Sequence, residues 1–385
     1  MDTTQKTLLE LIKKSQFGII NSFPPDVDWD AVYKESSFQS VFGIVWEELP
    51  SDIVVAGKWQ QAHYKQMASY IRYCYAEDEL VQLMNDASIP FVVLKGNAAA
   101  IYYKDPSRRA MGDIDFIVKQ DDFDRTKKIL VDNNYIIHSE SEQYLRHIGL
   151  KKNGIEFELH RFFSEDETVD IDEYVFTGID NPVEGLIEEH TFPMLPRLAN
   201  GLVLLLHMRQ HLKSALGLRQ VIDWMMYVYN NLDDDFWNSE FSTVAQEKGL
   251  DTLAIVATRM CQIYLGLPET ITWCKNADER ICEQLIETLL VSGNFGRKQG
   301  KGSSVETVST SIKRKGLFRW LQYAGEYNWK AYQKHHWLKP FCWLYQIFRY
   351  AKQGLKSGRN RKQISDDFER SEKRFELLKK LGIEQ

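Results

Sequence analysis

The chain has 385 residues, 44% of them hydrophobic and 26% charged, with a net charge of −6; these are ordinary globular values, with core enough for two or three domains. Its five cysteines (Cys74, Cys261, Cys274, Cys282 and Cys342) are odd in number and include no Cys-x-x-Cys pair, which argues against a disulfide framework or a zinc ribbon. No signal-peptide apolar region follows Met1–Lys6, and no apolar run approaches the ~20 residues that span a bilayer, so the expectation is a reducing, cytoplasmic setting.

Residues 1–89 read as helical. Leu8, Leu9, Leu11 and Ile12 mark one amphipathic stretch, and a long one runs from Trp59 to Met84, ending near Ser88-Ile89-Pro90. Phe91–Leu94 then reads as a buried strand that runs into Lys95-Gly96. Small residues follow (Asn97, Ala98, Ala99, Ala100), as expected of a helix starting straight after a tight turn. Backbone N–H groups at such a start, with Lys95 beside them, suit a phosphate. Arg108 and Arg109 stand close enough in sequence to reach the same anion.

The strongest signal is Gly112-Asp113-Ile114-Asp115-Phe116-Ile117-Val118. In a strand, alternation sends Asp113 and Asp115 to one face and Ile114 and Phe116 to the other. Two carboxylates side by side repel unless compensated, and a hard divalent cation is the usual compensation. A solvated strand edge is the other reading of a lone Asp-x-Asp. After a helix around 121–133 and the apolar Tyr135-Ile136-Ile137, the stretch Gly154-Ile155-Glu156-Phe157-Glu158-Leu159-His160 alternates again. It sets Glu156, Glu158 and His160 on one face and supplies a third carboxylate.

Residues 166–195 read as acidic and irregular, broken by Pro182, Pro193 and Pro196, and the pattern turns helical from Leu198 onward. His207 and His211 stand at i and i+4 on one helical face. They fit pocket lining, structural hydrogen bonding or metal ligation; Met208 where a zinc hydrolase carries its glutamate argues against that class. Gly300-Lys301-Gly302-Ser303-Ser304 reads as a linker. Residues 297–362 carry 16 Lys/Arg and two acids, net +14, which leaves −20 for the remainder. Such a segment faces either an anionic partner or the acidic body of the same protein. Within it, Trp337, Phe341, Leu344, Phe348, Ala351 and Leu355 form one apolar seam. The 337–359 helix therefore either packs its aromatics on the body or makes a peripheral membrane or acidic-glycan contact. No recognition-module signature supports nucleic-acid binding. Residues 363–385 read as a charged terminal helix.

Taken in order, Leu94-Lys95-Gly96, Tyr103-Lys104-Asp105-Pro106-Ser107-Arg108-Arg109, Gly112-Asp113-Ile114-Asp115 and Glu158-Leu159-His160 resemble the uncharacterised nucleotidyltransferase family of the DNA-polymerase-β-like superfamily. Gly96-Asn97 stands where the superfamily commonly has Gly-Ser. The resemblance implies an α+β fold: a short mixed sheet with helices, embedded in mainly helical N- and C-terminal segments. The expected layout is a helical segment 1–89, a catalytic core 90–165, a helical substrate domain 166–296 and a basic, aromatic-rich helical segment 297–385.

By the same resemblance, Asp113, Asp115 and Glu158 would be catalytic and hold Mg²⁺ or Mn²⁺, with Glu158 also open to a role as base. Lys95, Gly96, Asn97 and Arg109 would bind the nucleoside triphosphate. His160, His207, His211, Arg219 and Asp223 would form the pocket for an unknown hydroxyl acceptor, whether small molecule, glycan or protein. A nucleotide-binding module without catalysis, and an interaction protein docked on a membrane or on polysaccharide-synthesis machinery, are the alternatives.

Overall fold

The apolar run after Pro90 forms strand β1 (Phe91–Leu94), with every residue buried. The acidic segment forms β2 (Ile114–Val118), antiparallel to β1, with Asp115 beside Leu94. A helix (Phe123–Asp132) leads to β3 (Ile136–Ser139), β4 (His147–Lys152) and β5 (Ile155–His160). The computed structural model describes residues 1–19, 22–54, 57–139, 146–164, 169–213, 216–294, 298, 316–357 and 361–384. The expected linker at Gly300–Ser304 lies outside the described residues.

Of the stretch expected to be irregular, 166–195, the described residues 169–195 are largely structured. They hold a helix (Asp172–Asp180) and a hairpin of β6 (Val183–Ile187) and β7 (His190–Met194). β7 adds to β1 in parallel, giving one seven-stranded mixed sheet in the order β3-β4-β5-β2-β1-β7-β6. Pro193 is tolerated because β7 registers with β1 at one residue pair, Val93 with Met194, so little of the ladder needs its missing N–H. The sheet therefore runs past residue 165. The segments 1–89, 90–165 and 166–296 belong to one compact unit, Met1–Lys298.

Period-two alternation sorts the sheet's two faces. Phe91, Val93, Ile114, Phe116, Val118, Phe157 and Leu159 meet Tyr73, Leu80 and Met84 of the long helix Gly57–Asp86, with Phe123 and Leu130 beside them. The opposite face carries Asp115, Glu158 and His160. Two consecutive helices, Arg197–Leu212 and Leu218–Asn231, pack together.

In the second unit, Gln299–Gln385, Trp320, Leu321 and Ala324 of the helix Leu317–Asn328 pack against Trp343 and Tyr350 of the helix Cys342–Ser357. The second helix begins at Cys342 rather than Trp337. His336–Phe341 forms a 3₁₀ stretch containing Pro340, whose ring is incompatible with a continuous α-helix. Trp337 (71%) and Phe348 (72%) are exposed, as is Phe341, and Leu344 is half-buried. The side chains of Ala351 and Leu355 lie outside the described set. No described helix is long and apolar enough to cross a membrane.

The hairpin is tied to the long helix by charge. His190 contacts buried Glu77 at 2.8 Å through Nε2 and Asp78 at 2.5 Å through Nδ1. Burial opposes the imidazolium, but the two carboxylates outweigh it and raise the pKa above 6.5. The stabilisation is thus full below pH 6.5 and fades as pH climbs through the higher native value. Thermal unfolding of wild type and His190→Gln should show a larger gap at pH 6 than at pH 8; an unchanged gap would remove His190 from the account.

Candidate active site

The parallel register of β2 on β5 sets Asp115 beside Glu158, and Asp113 stands one residue before β2. One ligand oxygen from each of Asp113, Asp115 and Glu158 lies within 4.8 Å of the others. Lys95 Nζ reaches Asp115 Oδ1 at 2.6 Å, and His160 Nε2 reaches the same oxygen at 2.9 Å and Glu158 Oε2 at 3.4 Å. The charge of Asp115 and, second, burial push the Asp113 carboxyl up. Burial also works against Glu158, but the hydrogen bond from His160 and the charge of Lys95 hold it down to about 2.

Lys95 adopts φ 53° and ψ −136°, a conformation that L-residues rarely take. Strain of this kind costs about 1–3 kcal/mol and persists where the surroundings enforce it. Here they do: Gly96 has a positive φ, and a Cβ there would collide with the Tyr73 hydroxyl, which in turn donates to the Asp113 carbonyl at 3.2 Å. The helix that follows, Gly96–Ala100, is only five residues long.

A cavity of about 270 Å³ opens over the carboxylates. Its wall contains Lys95, Gly96, Asp113, Asp115 and Glu158, together with His207, Gln210, His211 and Arg219 from the helical half. His207 and His211 meet Nε2 to Nε2 at 2.8 Å. Burial, followed by the charge of Lys95, carries His207 well below its ordinary value and His211 down to about 3, so both rings are neutral at pH 7. A second cavity of about 620 Å³, lined by Ser37, Ser40, Phe42, Gln66 and Met111, shares Gly112, Asp113 and Arg219 with the first.

Four expected site residues depart from expectation, the first being His160, which is fully buried beneath the carboxylates and is not part of the cavity wall. Asn97 is buried and donates to Glu77 Oε1 at 3.1 Å, so its side chain braces the turn against the long helix and is not part of the cavity wall. Arg109 lines the cavity, but its guanidinium forks onto Asp223, with Nε to Oδ1 and Nη2 to Oδ2 both 2.7 Å. Asp223 also accepts from the Tyr103 hydroxyl at 2.7 Å and does not line the cavity. The two charges expected to face a phosphate and an acceptor thus neutralise each other. Arg108 is engaged on the outside by Glu47 and Asp105.

Arg146 and His147 line the cavity and were not expected there. Their signal was readable: His147-Ile148-Gly149-Leu150-Lys151-Lys152 alternates, which puts His147 on the face of Glu158.

The matching sequence profile, that of the uncharacterised nucleotidyltransferases, covers residues 25–266, and the chain belongs to that family. The matched span holds the whole sheet, the carboxylates and both histidine-bearing elements of the cavity. No curated protein matches the chain.

Arg109 and Asp223 are 4% and 2% exposed, and breaking such a pair strands a buried charge. Asp223→Ala should lower the unfolding free energy by about 3–5 kcal/mol, read by denaturant titration. A loss below about 1 kcal/mol, the range of a surface pair, would show that the pair does not hold the two halves together.

Proposed function

We propose that the protein transfers a nucleoside monophosphate from a nucleoside triphosphate to a hydroxyl acceptor, with divalent metal ions as cofactor. The single observation that carries this reading is the carboxylate trio on two adjoining strands, facing a cavity lined by Lys95, Arg146 and Arg219. The donor set fits a hard cation: three carboxylates converge within 4.8 Å, and Asp113 is pushed up by the neighbouring charge of Asp115. Asp113, Asp115 and Glu158 would hold Mg²⁺ or Mn²⁺, which when bound supplies Lewis-acid charge to the phosphoryl oxygens. Glu158, held down to about 2, suits a ligand better than a base. A binding module without catalysis needs no such complete trio.

Lys95, Arg146, Arg219 and the Gly96 backbone would orient the triphosphate and take up charge developing on it. The acceptor oxygen would release its hydroxyl proton to solvent as it forms the new bond to the α-phosphorus, the bond from that phosphorus to the α–β bridging oxygen breaks, and pyrophosphate leaves with that electron pair. His207, His211 and Arg219 would position the acceptor, while the buried His160 would hold Asp115 and Glu158 in place; the second cavity meets the first at Asp113 and gives a further substrate room. The free thiols of all five cysteines, buried or partly so, support a reducing cytoplasmic setting.

Transfer from labelled nucleoside triphosphates in a cell extract tests this reading. Asp113→Asn/Asp115→Asn should abolish both transfer and metal-dependent nucleotide binding, and equal binding with and without metal would overturn the assignment. Lys95→Met should weaken triphosphate binding by about 1.5–3 kcal/mol, the range for hydrogen bonds to charged groups, by calorimetry. Unchanged affinity would make Lys95 merely the counter-ion of Asp115.

The C-terminal unit supports a peripheral contact with an anionic lipid surface. Trp337, Phe341 and Phe348 are exposed, with Lys339 among them in sequence, a combination suited to the headgroup boundary. The full chain should co-sediment with phosphatidylglycerol vesicles and not with phosphatidylcholine vesicles. Trp337→Ala/Phe348→Ala should cut that partition by about tenfold or more, since a buried aromatic is worth ~1.5–3 kcal/mol. Retention on an acidic polysaccharide instead would replace the lipid with a glycan.

A further inference from the structure

A second donor set lies on the far side of Glu158 from Asp115. In the order β4-β5-β2, His147 stands on β4, Glu158 and His160 on β5, and Asp115 on β2. His147 and His160 are a direct cross-strand pair, with ring centroids 5.1 Å apart. His147 Nε2 is 3.7 Å from Glu158 Oε1, and His160 Nε2 is 3.4 Å from Glu158 Oε2. One donor atom from each of the three residues lies within 4.8 Å of the other two. For metal–ligand bonds of about 2.0–2.2 Å, adjacent donors stand about 3.0 Å apart in an octahedron and about 3.4 Å apart in a tetrahedron; the two histidine–glutamate separations, 3.4 and 3.7 Å, lie close to the second value.

His160 Nε2 also contacts Asp115 Oδ1 at 2.9 Å, which ties this set to the carboxylate site. Both Nδ1 atoms are buried without a hydrogen-bond partner among the described residues, so the polar contacts of each ring run through Nε2 to carboxylates. Each Nε2, fully buried in the case of His160, is aimed at carboxylate oxygen atoms that a cation would share.

We propose that His147, Glu158 and His160 form a nitrogen-containing metal site that shares Glu158 with the carboxylate site. The centre is then unsymmetrical: the Asp113/Asp115 side offers only oxygen and suits Mg²⁺, whereas the β4 side offers two imidazoles and one carboxylate and suits Mn²⁺, Co²⁺ or Zn²⁺. This rests on the reading of Asp113, Asp115 and Glu158 as metal ligands only through the shared glutamate.

The experiment is pulsed electron paramagnetic resonance of the full chain loaded with one equivalent of Mn²⁺. Nitrogen modulation from imidazole is the expected result in the wild type, without nucleotide. His147→Gln should remove part of that modulation and weaken Mn²⁺ and Co²⁺ binding by about tenfold or more, on the scale of changes around a metal ligand, while leaving Mg²⁺ affinity unchanged. The wild-type spectrum is decisive even if the variant does not fold. Mn²⁺ bound with oxygen-only couplings would overturn this site and leave the carboxylate reading standing. Failure of the wild type to bind Mn²⁺, Co²⁺ or Zn²⁺ would overturn it outright. Nitrogen-coupled Mn²⁺ in a chain that transfers no nucleotide would uphold the site and remove the transferase reading.

Discussion

Everything at the site follows from the registration of two parallel strands. β2 lies on β5 with Asp115 beside Glu158, Ile114 beside Phe157 and Phe116 beside Leu159. Because side chains alternate, a slip of one residue would put Phe116 over the cavity and Asp115 into the apolar face shared with Tyr73 and Leu80. The apolar half of the alternation thus guarantees the acidic half: burial of Ile114, Phe116, Phe157 and Leu159 holds the carboxylates together against their repulsion. Lys95 and His160, both on Asp115, offset what remains. The strained backbone at Lys95 is the local cost of bringing its ammonium there.

Charge around the cavity is closely matched. Arg109 is cancelled by Asp223, and the three histidines of the wall, His147, His207 and His211, all held below their ordinary pKa chiefly by burial, add little, which leaves Lys95, Arg146 and Arg219 against Asp113, Asp115 and Glu158. On the proposed reading, a nucleoside triphosphate with two divalent ions is itself close to neutral and would enter such a cavity without a large net field to overcome. Segregation gives the cavity its polarity, with carboxylates on the sheet and cations on the turn and helices that face it.

The sequence disclosed the parts of the site that are written locally. The alternation around Asp113–Asp115 and Glu156–His160 is visible within a few residues, and so is the i, i+4 pairing of His207 and His211. What stayed hidden depends on distant partners or on exceptions to local rules. Nothing near Arg109 announces a carboxylate 114 residues downstream. Asn97 looks like part of a phosphate turn until the long helix brings Glu77 beneath it. The β6–β7 hairpin was obscured by Pro193, because a proline is a sound reason to reject a central strand and a poor one where the neighbouring ladder is a single pair. His147 opens a six-residue strand whose alternation is legible, but what brings it to the site is the pairing of β4 with β5, which no local pattern states.

The Arg109–Asp223 fork bears on where the protein could be divided. Arg109 precedes the acidic strand, and its counter-charge arrives only with the helix Leu218–Asn231. A fragment cut at residue 165 would keep all three carboxylates yet bury a guanidinium with nothing to balance it, and would leave the β1 edge uncovered where β7 belongs. The catalytic cassette is therefore not separable at the boundary its motifs draw. The helix Leu218–Asn231 is in turn held by Thr258 and Asn294, so the piece that keeps its contacts is the whole compact unit Met1–Lys298, and evolution by exchange of the helical half would have to carry an aspartate at the same turn of the incoming helix.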